Sequence, residues 1–68
     1  MRVRVNGVER DVAADGTVAD LVAELGVPAE GRGVAVALDG EVVPRGAWGR
    51  TAVPDGARVE IVTAVQGG

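Results

Sequence analysis

With 68 residues, a net charge of −3 and neither Cys, His nor Lys, the chain is one small domain that apolar packing alone must hold. Those absences exclude thiolate nucleophiles, imidazole bases and His/Cys zinc sites, and an acidic chain with Trp48 as its one aromatic lacks the basic stripe and stacking side chains of a nucleic-acid binder. No segment approaches the ~18 consecutive apolar residues of a membrane span, and Arg2 and Arg4 stand where a signal peptide is apolar, so a cytoplasmic protein is expected.

Met1, Val3 and Val5 alternate with Arg2 and Arg4, the period of a half-buried strand. Asn6-Gly7 predicts a two-residue type I′ turn, because both of its central residues need φ > 0. Residues 8–12 then return as a second strand, and Arg10 on the same parity as Val8 and Val12 suits a sheet edge. Thr17 followed by Asp20 reads as a reciprocal helix cap. Val18, Leu21, Val22 and Leu25 form one apolar stripe over a helix of about ten residues. Gly26 supplies its left-handed stop, Val27 a trailing apolar contact, and Pro28 prevents continuation.

After a polar crossover loop over 29–33, Val34–Leu38 reads as a strand with its large residues on one face and its alanines on the other. Asp39-Gly40 is a second type I′ signal, and the short strand Glu41–Val43 stops at Pro44. Residues 45–54, with two glycines and a proline, are expected to be irregular. Asp55-Gly56 turns into the last strand, Arg58–Thr63, with Val59, Ile61 and Thr63 on one parity. The order hairpin, helix, strand, short strand, strand lets one helix stripe cover one face of a mixed four- to five-stranded sheet. That is an α+β, β-grasp (ubiquitin-like) domain over residues 1–64, with 65–68 as a tail.

Little inside this domain carries chemistry. Asp11, Asp15 and Asp39 have turn or surface explanations, Gly31 and Gly33 are followed by no helix that could cradle a phosphate, and no nucleophile–base pair or metal cluster is present. The tail is different. Val65, Gln66, Gly67 and Gly68 offer a thin approach, since glycine lets backbone pass a narrow slot. Five residues from Ala64 reach about 17 Å when extended.

The strand ending Val5-Asn6-Gly7, the helix start Thr17-Val18-Ala19-Asp20-Leu21, the run from Val34 through Val43-Pro44-Arg45 to Trp48, and the closing Val65-Gln66-Gly67-Gly68 together resemble the sulfur carriers of thiamine biosynthesis, the ThiS family. The likeness runs the whole length, and its specific parts are Val-Pro-Arg-x-x-Trp and Val-Gln-Gly-Gly. Where that family usually has Gly-Asp before the last strand, this chain has Gly56-Ala57, a departure expected to alter local hydrogen bonding and not function. The resemblance implies a carrier without catalytic residues or bound cofactor of its own. A ThiF-type partner would use ATP and Mg to adenylate the Gly68 carboxylate. Sulfur from a cysteine desulfurase or other donor would give a thiocarboxylate, and thiazole synthase (ThiG) would take the sulfur.

Docking would use the sheet face away from the helix, where outward parity collects Arg2, Arg4, Ala35, Ala37, Glu60, Val62 and Ala64. Trp48 is either a lid on the core or, with Arg45, a partner contact. The free carrier is expected to be a monomer. Rival readings share these features. The small subunit of molybdopterin synthase also ends in Gly-Gly but tends to carry prolines before it, and residues 63–66 have none. Other β-grasp sulfur carriers, a ubiquitin-like modifier conjugated through Gly68, and an interaction domain with an inert tail are the remaining alternatives.

Overall fold

Alternation of valine with arginine forms the first strand, β1 (Arg2–Val5), with Val3 and Val5 buried and both arginines exposed. Asn6 and Gly7 then adopt φ of 50° and 85°, the left-handed pair that a type I′ turn demands, and β2 (Val8–Asp11) returns in register with Val5 opposite Val8. The same device recurs at Asp39 and Gly40, with φ of 50° and 89°, between β3 (Val34–Leu38) and β4 (Glu41–Val43). The computed structural model describes residues 1–13, 16–27 and 33–63. The expected stops at Asp15 and Pro28, most of the crossover loop, and the tail beyond residue 63 lie outside the described residues.

The helix α1 (Val18–Glu24) has seven residues, shorter than the ten expected, because its caps take up the remainder of the stripe. Thr17 Oγ1 accepts from the Asp20 amide at 3.3 Å and Asp20 Oδ2 accepts from the Thr17 amide at 3.1 Å, a complete capping box. At the other end Gly26, with φ 75°, donates to the Ala23 carbonyl and Val27 donates to the Val22 carbonyl. Those two bonds are a Schellman stop. Val18, Leu21 and Val22 are buried and Leu25 is half-buried, so the stripe faces the sheet as expected.

The five strands lie in the order β2-β1-β5-β3-β4, where β5 is Arg58–Thr63. β5 is antiparallel to β3 and parallel to β1, so the last strand enters the middle of the sheet. Val3, Val36 and Val59, at 1%, 1% and 0% exposure, fill the centre beneath α1. Each contributes roughly 1.5–3 kcal/mol of transfer free energy. A helix about 10–12 Å wide cannot roof a sheet of five strands spaced ~4.8 Å apart. At the β2 end no described residue completes the roof. Val8 and Arg10 face the helix side yet stay exposed, and only Val12, just past the strand, is buried.

At the β4 end the roof is completed by residues expected to be irregular. Arg45–Arg50 form a 3₁₀ helix that packs against α1. Trp48 is only 5% exposed beneath it, and its Nε1–H donates to the Val43 carbonyl at 3.0 Å. The Arg45 guanidinium lies over the indole, 4.7 Å from the ring centroid. Trp48 thus packs against the core as a lid would, with Arg45 across its ring. The segment that follows is pinned to the helix start by bonds from the Val18 amide to the Thr51 carbonyl and from the Val53 amide to the Gly16 carbonyl. Ala57, where the family's usual pattern has Asp, places its methyl in the core at 3% exposure.

The β1–β5 seam is extended at both ends by side chains. Asp55 Oδ1 accepts from the Arg2 amide at 3.0 Å, and the Gly56 amide donates to the Arg2 carbonyl at 2.7 Å. Beyond Val5 the Asn6 amide group takes over. Its Oδ1 accepts from the Ile61 amide at 2.9 Å and its Nδ2 donates to the Ile61 carbonyl at 3.0 Å. Replacing Asn6 by Gly keeps the turn's positive φ and deletes both bonds. The expected loss is about 1–3 kcal/mol in urea unfolding. An unchanged midpoint would show that the turn, not the amide clamp, secures this end of the seam.

Candidate functional site

The register of the central strands fixes what stands on the bare face of the sheet. Along β5 the outward residues are Arg58, Glu60 and Val62. Arg58 lies opposite Arg4 of β1. Glu60 lies opposite Ala37 of β3, and Ala37 in turn lies opposite Val42 of β4. Val62 lies opposite Ala35. Successive rows are about 7 Å apart along the strand. The face is therefore graded: guanidinium groups at the start of β5, one carboxylate in the middle, and an apolar patch at the end that leads toward residue 64.

Of the expected docking residues, Arg4, Ala35, Ala37, Glu60 and Val62 border one open concavity. Arg2 stands at its margin, tied to Glu9 by a 2.8 Å ion pair. Ala64, Val65, Gln66, Gly67 and Gly68 lie outside the described residues. Five more residues line the concavity that the sequence reading did not place there, Asn6, Gly7, Val36, Val42 and Arg58, of which Val42 and Arg58 are outward-facing strand residues. Arg58 was available by simple alternation from Glu60. Val42 needed the pairing across the Asp39-Gly40 turn, which places it beside Ala37 on the exposed side. Val42 and Val62 are 69% and 63% exposed, the largest apolar exposures among the described residues along with Val8. Because the alanines beside them are short, the two valines stand clear of their neighbours, an arrangement suited to burial against another surface.

Elsewhere the chemistry is sparse. Among the described residues no polar or charged side chain is buried, no group of carboxylates is placed to hold a metal ion, and no helix is long and apolar enough to cross a membrane. The described residues thus present an open sheet face with an apolar patch at one end and charged groups at the other.

Comparison with known proteins agrees with this architecture. The family model of the ThiS family matches residues 3–68. The chain belongs to the ThiS family. Its fold is that of the crystal structure of the thiamine biosynthesis protein (ThiS) from Geobacter metallireducens, with 38% identity, a TM-score of 0.83 and full coverage of both chains. An NMR solution structure of a thiamine biosynthesis protein from the same organism is similar at 37% identity and a TM-score of 0.81, covering all of this chain and 88% of that one. A thiazole synthase of Paramagnetospirillum magneticum (strain ATCC 700264 / AMB-1) is 43% identical over 68 residues, all of this chain and 20% of that protein. This ThiS-family chain spans about one fifth of the length of that relative. The expected β-grasp fold, a mixed five-stranded sheet with one α-helix on one face, is the fold observed.

The buried indole gives a direct check on the lid. Acrylamide should quench Trp48 fluorescence weakly in the folded protein and several-fold more strongly in urea, since a residue 5% exposed is shielded from collision. Strong quenching in the native state would place the ring at the surface and reopen its role as a partner contact.

Proposed function

We propose that this chain is a sulfur carrier of thiamine (thiazole) biosynthesis and not itself an enzyme. The observation that carries the reading is its end-to-end likeness to Geobacter metallireducens ThiS, with the family match extending through residue 68. A carboxylate is a poor electrophile, because its charge is delocalised and oxide is a poor leaving group. Transfer of AMP from ATP, with Mg at the partner's site, makes the Gly68 carbonyl attackable and releases pyrophosphate. A sulfide-level nucleophile then expels AMP and leaves a thiocarboxylate directly. A persulfide delivered by a cysteine desulfurase instead expels AMP to give an acyl disulfide, whose S–S bond a thiol must cleave, itself becoming part of a disulfide. The thiocarboxylate is an anionic sulfur nucleophile ready for delivery. Gly67 and Gly68 keep that end slender, and the absence of Cys and Lys leaves no side-chain thiol or amine on the chain itself to intercept the activated acyl group.

The bare sheet face is the docking surface in this reading. Val62 is the residue of the apolar patch nearest the tail, so seating the patch on a ThiF-type adenylating enzyme would guide residues 65–68 toward its nucleotide. The occurrence of a similar stretch within a protein named thiazole synthase supports a ThiG-type enzyme as the acceptor of the sulfur.

Intact mass after incubation with ATP, the adenylating enzyme and a sulfur donor tests this. Exchange of one oxygen for sulfur adds about 16 Da, nearly the mass of Met1 oxidation, and iodoacetamide separates the two because this chain has no thiol of its own. A label mapping to Gly68 is the expected result; no label with an enzyme that is active on another ThiS protein moves the reading to a modifier or an inert binding module. Val62→Asp should abolish adenylation while the thermal midpoint stays within a degree or two, since the side chain is exposed. Undiminished adenylation of that variant would take the apolar patch out of the interface.

A further inference from the structure

Arg4 and Arg58 are direct neighbours across the parallel β1–β5 seam and face the same side, so two guanidinium groups stand together on a chain whose net charge is −3. The carboxylates nearby compensate them only in part. Glu9 is shared, pairing with Arg2 at 2.8 Å and with Arg4 at 3.7 Å, and Glu60 stands one row along β5 from Arg58. Asp39, on the far side of Arg58, accepts from the Arg58 backbone amide at 2.8 Å instead of meeting its side chain. Among the described residues the Arg58 guanidinium has no ion-pair partner. Like charges on adjacent strands repel, and a chain selected for stability alone would do better with one of them reversed. Two arginines that stay adjacent and under-compensated point to an external anion.

We propose that Arg4 and Arg58 together hold an acidic segment of the adenylating partner, whose carboxylates bridge the two guanidiniums while the apolar row of Val62, Ala35 and Val42 seats the tail end of the face. The proposal rests on the carrier reading above and adds to it the partner's charge and the residues that read it. A protein surface is the occupant because Glu60, one row along, and the net negative chain both oppose a polyanion such as nucleic acid, while the neighbouring valines need an apolar counterpart. Arginine suits this role better than lysine, since its planar fork takes a carboxylate through two parallel bonds. A charged pair at the rim of a docking face acts chiefly on encounter and orientation, so it should govern how efficiently the carrier is found, and its effect should weaken with salt.

Pyrophosphate release by the adenylating enzyme of the same organism, measured against carrier concentration at low and high NaCl, tests it, with Geobacter metallireducens ThiS as the positive control for enzyme activity. Arg58→Glu and Arg4→Glu should each lower kcat/KM about tenfold or more at low salt, mainly through KM, and flatten the salt dependence. Arg58→Lys should fall between these and the parent. Arg50→Glu, the same change in charge on the 3₁₀ helix, should stay within about twofold of the parent. If Arg58→Glu matches the parent with an unaltered salt dependence, or if Arg50→Glu is equally impaired, the paired site is wrong while the carrier reading stands. If the parent chain itself releases no pyrophosphate from an enzyme that turns over the Geobacter protein, the carrier reading fails and the proposal with it. Thermal midpoints guard against misfolding, and Arg58→Gln replaces Arg58→Glu should that variant unfold.

Discussion

Everything in this domain hangs on the seam between its first and last strands. β1 and β5 are far apart in sequence and parallel, so no turn can hold them together, and only two residue pairs face each other directly. The backbone ladder would be marginal at that length. It is lengthened by groups that are not backbone of either strand: the Asp55 carboxylate at one end and the Asn6 carboxamide at the other. Asn6 serves twice, since the residue that turns the chain away into β2 also leaves behind an amide that imitates the peptide group β1 no longer supplies. With β5 fixed at the centre, β3 pairs on its other flank and the core valines of three strands come into one layer.

The same constraint shapes the surface. One helix and one 3₁₀ segment share the work of covering one face, the first over the middle strands and the second, with Trp48 as its wedge, over the β3–β4 end. Among the described residues all the covering elements lie on that side. The other face keeps the outward rows of β1, β5, β3 and β4 open, with short alanines on β3 between exposed valines and a charge gradient along β5. β5 is the spine of the sheet and, in sequence, the strand that precedes the closing residues, which links the proposed docking face to the proposed point of chemistry.

How much of this was legible in sequence follows from the range of each interaction. The two type I′ turns, the capping box and the Schellman stop are decided by residues within five positions of one another, and Asn6-Gly7, Asp39-Gly40, Thr17…Asp20 and Gly26-Val27 spell them out. The outward parity of β1, β3 and β5 was equally readable and placed Arg4, Ala35, Ala37, Glu60 and Val62 on the one face they share. What sequence reading missed depends on registration between distant segments. Nothing local indicates that Asn6 will meet Ile61 or that Arg58 will stand against Arg4. The 3₁₀ helix was hidden because its glycines discourage regular structure, and its stability comes from Trp48 finding the Val43 carbonyl and the space beside α1. The helix proved shorter than its apolar stripe because caps draw on the same residues.

In the proposed reading the uncovered sheet face, and not the helix side, meets the partner. Amide NMR shifts of the labelled chain, recorded on titration with the adenylating enzyme and ATP, locate the contact. Changes and broadening are expected to concentrate on Arg4, Ala35, Ala37, Val42, Arg58, Glu60 and Val62, with the Trp48 indole N–H unmoved. Changes confined to α1 and the 3₁₀ helix, with the β5 rows silent, would contradict that reading.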